Sequence, residues 1–94
     1  MPAVVRLGDI CTGHGKFPPR ANDSAGIVLF TEGIAVHRQG DHWAIHCDPD
    51  SCHDSVLQTG STILFAEGLP VGRIGDPVAC GSTCATGSSV MFSN

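Results

Sequence analysis

Along this chain, short apolar runs are broken at regular places by a charged residue and a glycine. Residues 27–30 and 34–39 flank Thr31-Glu32-Gly33, and residues 62–66 and 69–74 flank Glu67-Gly68 in the same way. Each arrangement predicts two strands joined by a tight turn, with the glycine in the left-handed position a hairpin needs. Residues 3–7 alternate weakly and end at Gly8-Asp9, where glycine and aspartate set a turn that closes a strand. Residues 10–24 have no period and hold two prolines and two glycines, which predicts a long ordered loop. Residues 40–55 and 75–87 read as two further loops, and the expected fold is all-β.

The hairpin pattern is an internal repeat. Residues 26–41 match residues 61–76 at eight of sixteen positions, namely Leu, Phe, Glu, Gly, Val, Arg, Gly and Asp. A third copy is split between the ends, because residues 86–94 match 59–67 and residues 3–9 match 70–76. The units are therefore 24–41, 59–76, and 86–94 joined with 3–9. A last copy completed by both termini implies a closed pseudo-threefold arrangement, with the chain ends as neighbours.

Size and charge narrow the functional classes. Ninety-four residues make one small domain in which a hydrophobic core alone is marginal, so a further staple is expected. Four Phe, one Trp and no Tyr supply the large side chains, while twelve Gly and six Pro favour turns. A net charge of −4 with five Lys and Arg argues against a nucleic-acid surface. No apolar run approaches bilayer length, and the first residues do not form a secretion signal. Five cysteines cannot all pair within one chain, which favours metal ligation or a reduced compartment.

Aligning the Gly-Asp turns brings the loops into register. His14 and His46 each fall five residues after the Asp, and Cys80 falls four after Asp76. Equivalent positions in a threefold object converge on its axis, and the long middle loop can fold back to add His53. The result is a closed His₃Cys set, suited to one structural zinc, with copper(I) or iron(II) as other fits to the same donors. Cys47 and Cys52, next to His46 and His53, compete either as ligands or as a disulfide. Cys11 and Cys84 have no repeat partner and read as small buried residues. His37 and His42 read as packing or surface positions, and the repeated Leu-Phe pairs as core.

With the hairpins, the Arg-x-Gly-Asp turns and the His/Cys loops in view, the chain resembles the PAAR-repeat family over all 94 residues. The tetrapeptide that names the family maps onto Ala3-Val4-Val5-Arg6, Ala35-Val36-His37-Arg38 and Pro70-Val71-Gly72-Arg73, and only the third keeps both Pro and Arg. The resemblance implies a cone of β-hairpins with a zinc at its point, its broad base seated on a trimeric β-helical spike. It implies His14, His46, His53 and Cys80 as tip ligands and places Glu32-Gly33 and Glu67-Gly68 toward the spike-binding base. It further implies a protein made in the bacterial cytoplasm that acts at the tip of a type VI secretion spike or contractile phage tail. There it would meet a target membrane transiently, with a possible effector alongside.

Two other classes compete. A small zinc hydrolase would need an open coordination position and a base such as Asp41 or Asp48. A thiol or metal-handling protein would use Cys47, Cys52, Cys80 and Cys84, although no Cys-x-x-Cys spacing is present.

Overall fold

The computed structural model describes residues 1–94 and is all-β, elongated at 38 × 23 × 22 Å. Three antiparallel hairpins carry the named strands: β1 (Phe30–Thr31) with β2 (Ile34–Ala35), β3 (His42–Cys47) with β4 (Cys52–Val56), and β5 (Phe65–Ala66) with β6 (Leu69–Pro70). No helix is long and apolar enough to cross a membrane.

The β1–β2 and β5–β6 turns put both central residues at positive φ: Glu32 at 55° with Gly33 at 76°, and Glu67 at 53° with Gly68 at 79°. This backbone matches the twist of a hairpin. A glutamate there is unfavourable by roughly 1 kcal/mol, so other contacts must hold it. The Glu32 carboxylate accepts from the Ser88 hydroxyl (2.7 Å), the Ser89 amide (3.1 Å) and Arg6 (3.1 Å). The Glu67 carboxylate accepts from the Ile27 amide and pairs with Arg38, both at 3.1 Å. The two turns are thus fastened to neighbouring copies of the repeat.

Threefold closure is visible in the backbone. Val5 N–H donates to the Gly72 carbonyl (2.8 Å), Gly72 N–H to His37 (2.9 Å) and His37 N–H to Val5 (3.0 Å), a closed triangle of equivalent residues. A second triangle runs from Leu7 to Ala35, Gln39 to Pro70 and Ile74 to Ala3. Ala3 also bridges Phe92, as Phe30 pairs Ala35 and Phe65 pairs Pro70, so the two chain ends complete a third hairpin-like unit. Each Arg-x-Gly-Asp segment closes identically: the aspartate accepts from the arginine's own amide and guanidinium in Arg6–Asp9, Arg38–Asp41 and Arg73–Asp76.

Two small cores lie on either side of the triangle. One joins Val4, Val36 and Val71, one from each copy, to Ala66, with Leu29, Leu64 and Met91 packed on it. The other is built mainly from the loops: Val5, Cys11, Trp43, Leu57, Val78 and Cys84. The triangle's side chains share one layer by differing in size. His37 is fully buried edge-on to Trp43, and a Cβ on Gly72 would press the Leu57 methyl at 2.8 Å. Burial pushes the His37 pKa down, so this imidazole is neutral and donates from Nδ1 to the Ser24 carbonyl at 2.7 Å.

Two expectations are corrected here. Residues 40–55, expected as loop, hold the two longest strands; a bulge between Trp43 and His46 puts both buried residues three apart, which hides the period of two. The phenylalanines of the Leu-Phe pairs, expected in the core, are about half exposed, at 51% for Phe30, 52% for Phe65 and 45% for Phe92. Alternation allows only one residue of each pair to face inward, and Leu29, Leu64 and Met91 do so.

His42 is a surface residue with a definite role, tying the first loop to β4. Its ring nitrogens lie 2.6 Å from Asp23 and 2.7 Å from Asp54. Its hydrogen bonds to the Asp54 and then the Asp23 carboxylate raise its pKa above the ordinary histidine value. The stability it contributes is complete below about pH 6.5 and is lost as pH rises through the higher folded value. NMR titration should show the elevated pKa fall toward that ordinary value in Asp23→Asn; an unchanged value would remove Asp23 from the pairing.

Candidate metal centre

Each loop offers its donor through a different local device. In the first, His14 and Phe17 exchange reciprocal backbone hydrogen bonds (3.0 and 2.8 Å) around Gly15-Lys16. Gly13 lets this turn close, because a Cβ there would meet the Phe17 carbonyl oxygen at 2.6 Å. In the middle loop, His46 on β3 and His53 on β4 are cross-strand partners. In the third, Cys80 sits in a turn closed by Val78 N–H to Ser82 (2.8 Å), anchored by Ala79 N–H to Val56 (2.9 Å).

The four side chains converge, and their donor atoms all lie within 4.8 Å of one another. His53 Nε2 is 2.7 Å from His46 Nε2 and 3.0 Å from His14 Nε2. Donors ~2.0–2.3 Å from a common tetrahedral ion would stand ~3.3–3.8 Å apart, so the group is of the right size. His46 is buried, and its Nδ1–H donates to the Pro18 carbonyl at 2.8 Å. That bond fixes the tautomer and leaves a lone pair on Nε2, as a metal-facing imidazole requires. The Phe17 ring packs on all three imidazoles, with centroids 4.8, 5.0 and 4.2 Å from His14, His46 and His53.

Cys80 packs against the loop-built core, and its electrostatics suit a cation. Burial opposes its ionisation, but the Ser82 amide, the Arg20 guanidinium and His53 outweigh it and bring the thiol down to about 5. Arg20 donates to Cys11 Sγ (3.1 Å) and Cys80 Sγ (3.6 Å), with its Nε held by the Ala44 carbonyl (2.7 Å). Phe17, Arg20 and the Pro18 carbonyl escape a reading that counts only metal-capable side chains.

Cys47 and Cys52 form a disulfide, leaving Cys11, Cys80 and Cys84 free. Strand alternation explains why neither takes the place of His53: His46 and His53 face inward, and both cysteines are exposed on the other face. The expectation that odd cysteine number favours metal or reduction over disulfides therefore gives way to one disulfide beside a His/Cys group. Cys84 is buried, and desolvation pushes its thiol up to about 12. The four cysteines of the thiol-protein alternative thus occupy three separate environments. The two carboxylates of the hydrolase alternative are engaged elsewhere: Asp41 accepts from Arg38 and Ser24, and Asp48 accepts from the amides of Asp50 and Ser51.

A comparison with curated proteins finds no match. A comparison with protein-family models matches residues 24–86 to the PAAR motif. This span holds two complete copies of the repeat and the His46, His53 and Cys80 donors, while His14 lies before it. Since it covers well over half of a chain whose backbone closes in triangles around three Arg-x-Gly-Asp turns, the protein belongs to the PAAR-motif family.

Proposed function

We propose that this chain caps a trimeric β-helical spike and sharpens it for puncturing a target membrane. The family as a whole has a structural spike-tip role in secretion and phage machinery. One observation carries the specific reading: Phe30, Phe65 and Phe92, equivalent residues of the three copies, are each about half exposed. Ile27, Val28, Ile63 and Val90, two or three positions before those phenylalanines in their own copies, are between 67 and 82% exposed. Exposed apolar residues repeated at equivalent places in three copies favour a docking face there. A pseudo-threefold face can make three similar contacts with a true threefold partner.

On this reading the turns at Glu32-Gly33 and Glu67-Gly68 border the base. Their glutamates shape it from within, since both carboxylates are bonded to neighbouring copies. At the other end, His14, His46, His53 and Cys80 hold one zinc, which closes the point structurally and does no chemistry. The machine is a type VI secretion system or a contractile phage tail, in which sheath contraction drives the spike outward. Co-expression with a trimeric β-helical spike, followed by native mass spectrometry, should give one copy of this chain per three spike chains. Recovery of the two proteins only as separate species would overturn the reading.

A further inference from the structure

Cys11 and Cys84 face each other across an antiparallel bridge between the first and third loops. The hydrogen bonds that frame it run from Thr12 N–H to the Thr83 carbonyl and from Ala85 N–H to the Ile10 carbonyl, both at 2.9 Å. In an antiparallel pair this pattern marks directly opposed residues that do not bond each other, with Cα atoms about 4.5 Å apart and side chains on one face. Both thiols do point into the same place, the loop-built core, where the residues are 1% and 2% exposed. A disulfide spans Cα separations of about 4.4–6.8 Å, so the backbone holds this pair at bonding range.

The same chain shows what that register allows. Cys47 and Cys52 are cross-strand partners of the same kind, with Asp48 N–H donating to the Ser51 carbonyl at 2.9 Å just beyond them, and they are joined. The two pairs differ in access, since Cys47 and Cys52 are exposed and Cys11 and Cys84 are covered.

We propose that Cys11 and Cys84 are a second cross-strand disulfide site, closed by exchange with a small-molecule disulfide such as oxidised glutathione while the loops are open. One thiol, after losing its proton, attacks a glutathione sulfur and releases one glutathione thiolate. The other, deprotonated in turn, attacks the protein sulfur of that mixed disulfide and releases the second. The chain gives up two electrons and two protons, and the glutathione disulfide leaves as two thiols. Cys80 also packs on this core and shares Arg20 with Cys11, but no backbone bridge sets it opposite either cysteine, and its sulfur belongs to the group of four donors. Pairing the other four cysteines leaves that one thiol for the three histidines.

Position gives the bond its effect. Cys11 lies just after residues 3–9 and Cys84 just before residues 86–94, so the link fastens the two distant segments that make up the split copy of the repeat. It also ties the loop that carries His14 to the loop that carries Cys80 without any metal. A cross-link between residues so far apart in sequence takes much entropy from the unfolded chain. None of this depends on the spike-capping reading.

The test refolds the reduced chain from denaturant in a glutathione redox buffer, so that burial cannot keep the oxidant out. Free thiols are then alkylated in denaturant with chelator, and the peptides are mapped by mass spectrometry. Cys11 should be recovered linked to Cys84 in molecules whose Cys47–Cys52 bond is closed, with Cys80 alkylated. Alkylation of both Cys11 and Cys84 in such molecules would overturn the site, as would a link from either of them to Cys80. In metal-free protein, closing the pair should raise the melting temperature by about 10 °C. Cys11→Ser and Cys84→Ser, which keep the Cys47–Cys52 bond, should each show no such rise. A closed link with an unchanged melting temperature would keep the bond and overturn its role as a staple.

Discussion

Chelating metal from the purified protein, or replacing His46 with alanine, is expected to lower the melting temperature by about 20 °C or more. Structural zinc can contribute on the order of 10 kcal/mol to a small domain. Even ~4 kcal/mol of that total corresponds to a shift of this size in a chain of under a hundred residues. The loop-built core is small, and its members Cys11, Trp43, Val78 and Cys84 come from the same three segments that carry the four donors. The core joining Val4, Val36, Val71 and Ala66 does not include the donors. Amide exchange should therefore accelerate first in residues 10–23 and 77–85, with the backbone triangles responding last. Elemental analysis and calorimetry on the same sample decide the matter. A melting temperature within two or three degrees of the loaded protein would show that no metal staples this fold.

Phe65→Asp is expected to abolish spike capture while leaving the isolated protein folded. The ring is 52% exposed, so the free chain loses little packing. In a complex the same position would bring an unpaired carboxylate into an apolar contact. Central aromatic anchors commonly contribute 2–4 kcal/mol, which corresponds to roughly 30- to 1,000-fold in affinity. Binding by interferometry, with circular dichroism as the folding control, reads both halves. Wild-type affinity in the Phe30, Phe65 and Phe92 variants alike would move the docking face elsewhere.

The sequence shows some layers of this molecule and hides others, for definite reasons. Backbone devices show through because few residues can perform them. The Glu-Gly turns and Gly-Asp turns need positive φ, and they recur at fixed spacing. His14, His46 and Cys80 can be assembled from the sequence because loop lengths count from those turns, whereas His53 comes only from folding back the middle loop, with Cys47 and Cys52 as rivals; the structure brings the four side chains together. The β3–β4 hairpin is hidden by its bulge. The exposed phenylalanines are hidden because an aromatic next to a leucine looks like core, and only alternation against a known partner says which one faces out. Arg20 and Phe17 are hidden because their contacts cross 60 and 36 positions, to Cys80 and to His53, with no repeat relation to reveal them.

The triangle of Val5, His37 and Gly72 also bears on how the chain reaches its native state. Each member donates to one copy and accepts from the other, so two copies alone leave a donor and an acceptor open to water. The side missing from a partial structure is the one that brings residues 3–9 back to residues 72 and 91, across most of the chain length. Closing so long a loop is entropically costly before any contact compensates it, and topologies dominated by such pairings fold slowly. Once closed, the copy made from the two chain ends is held by both complete copies. Loosening either terminus therefore exposes backbone donors or acceptors in all three copies, so the chain ends are as much a part of the ring's integrity as its interior.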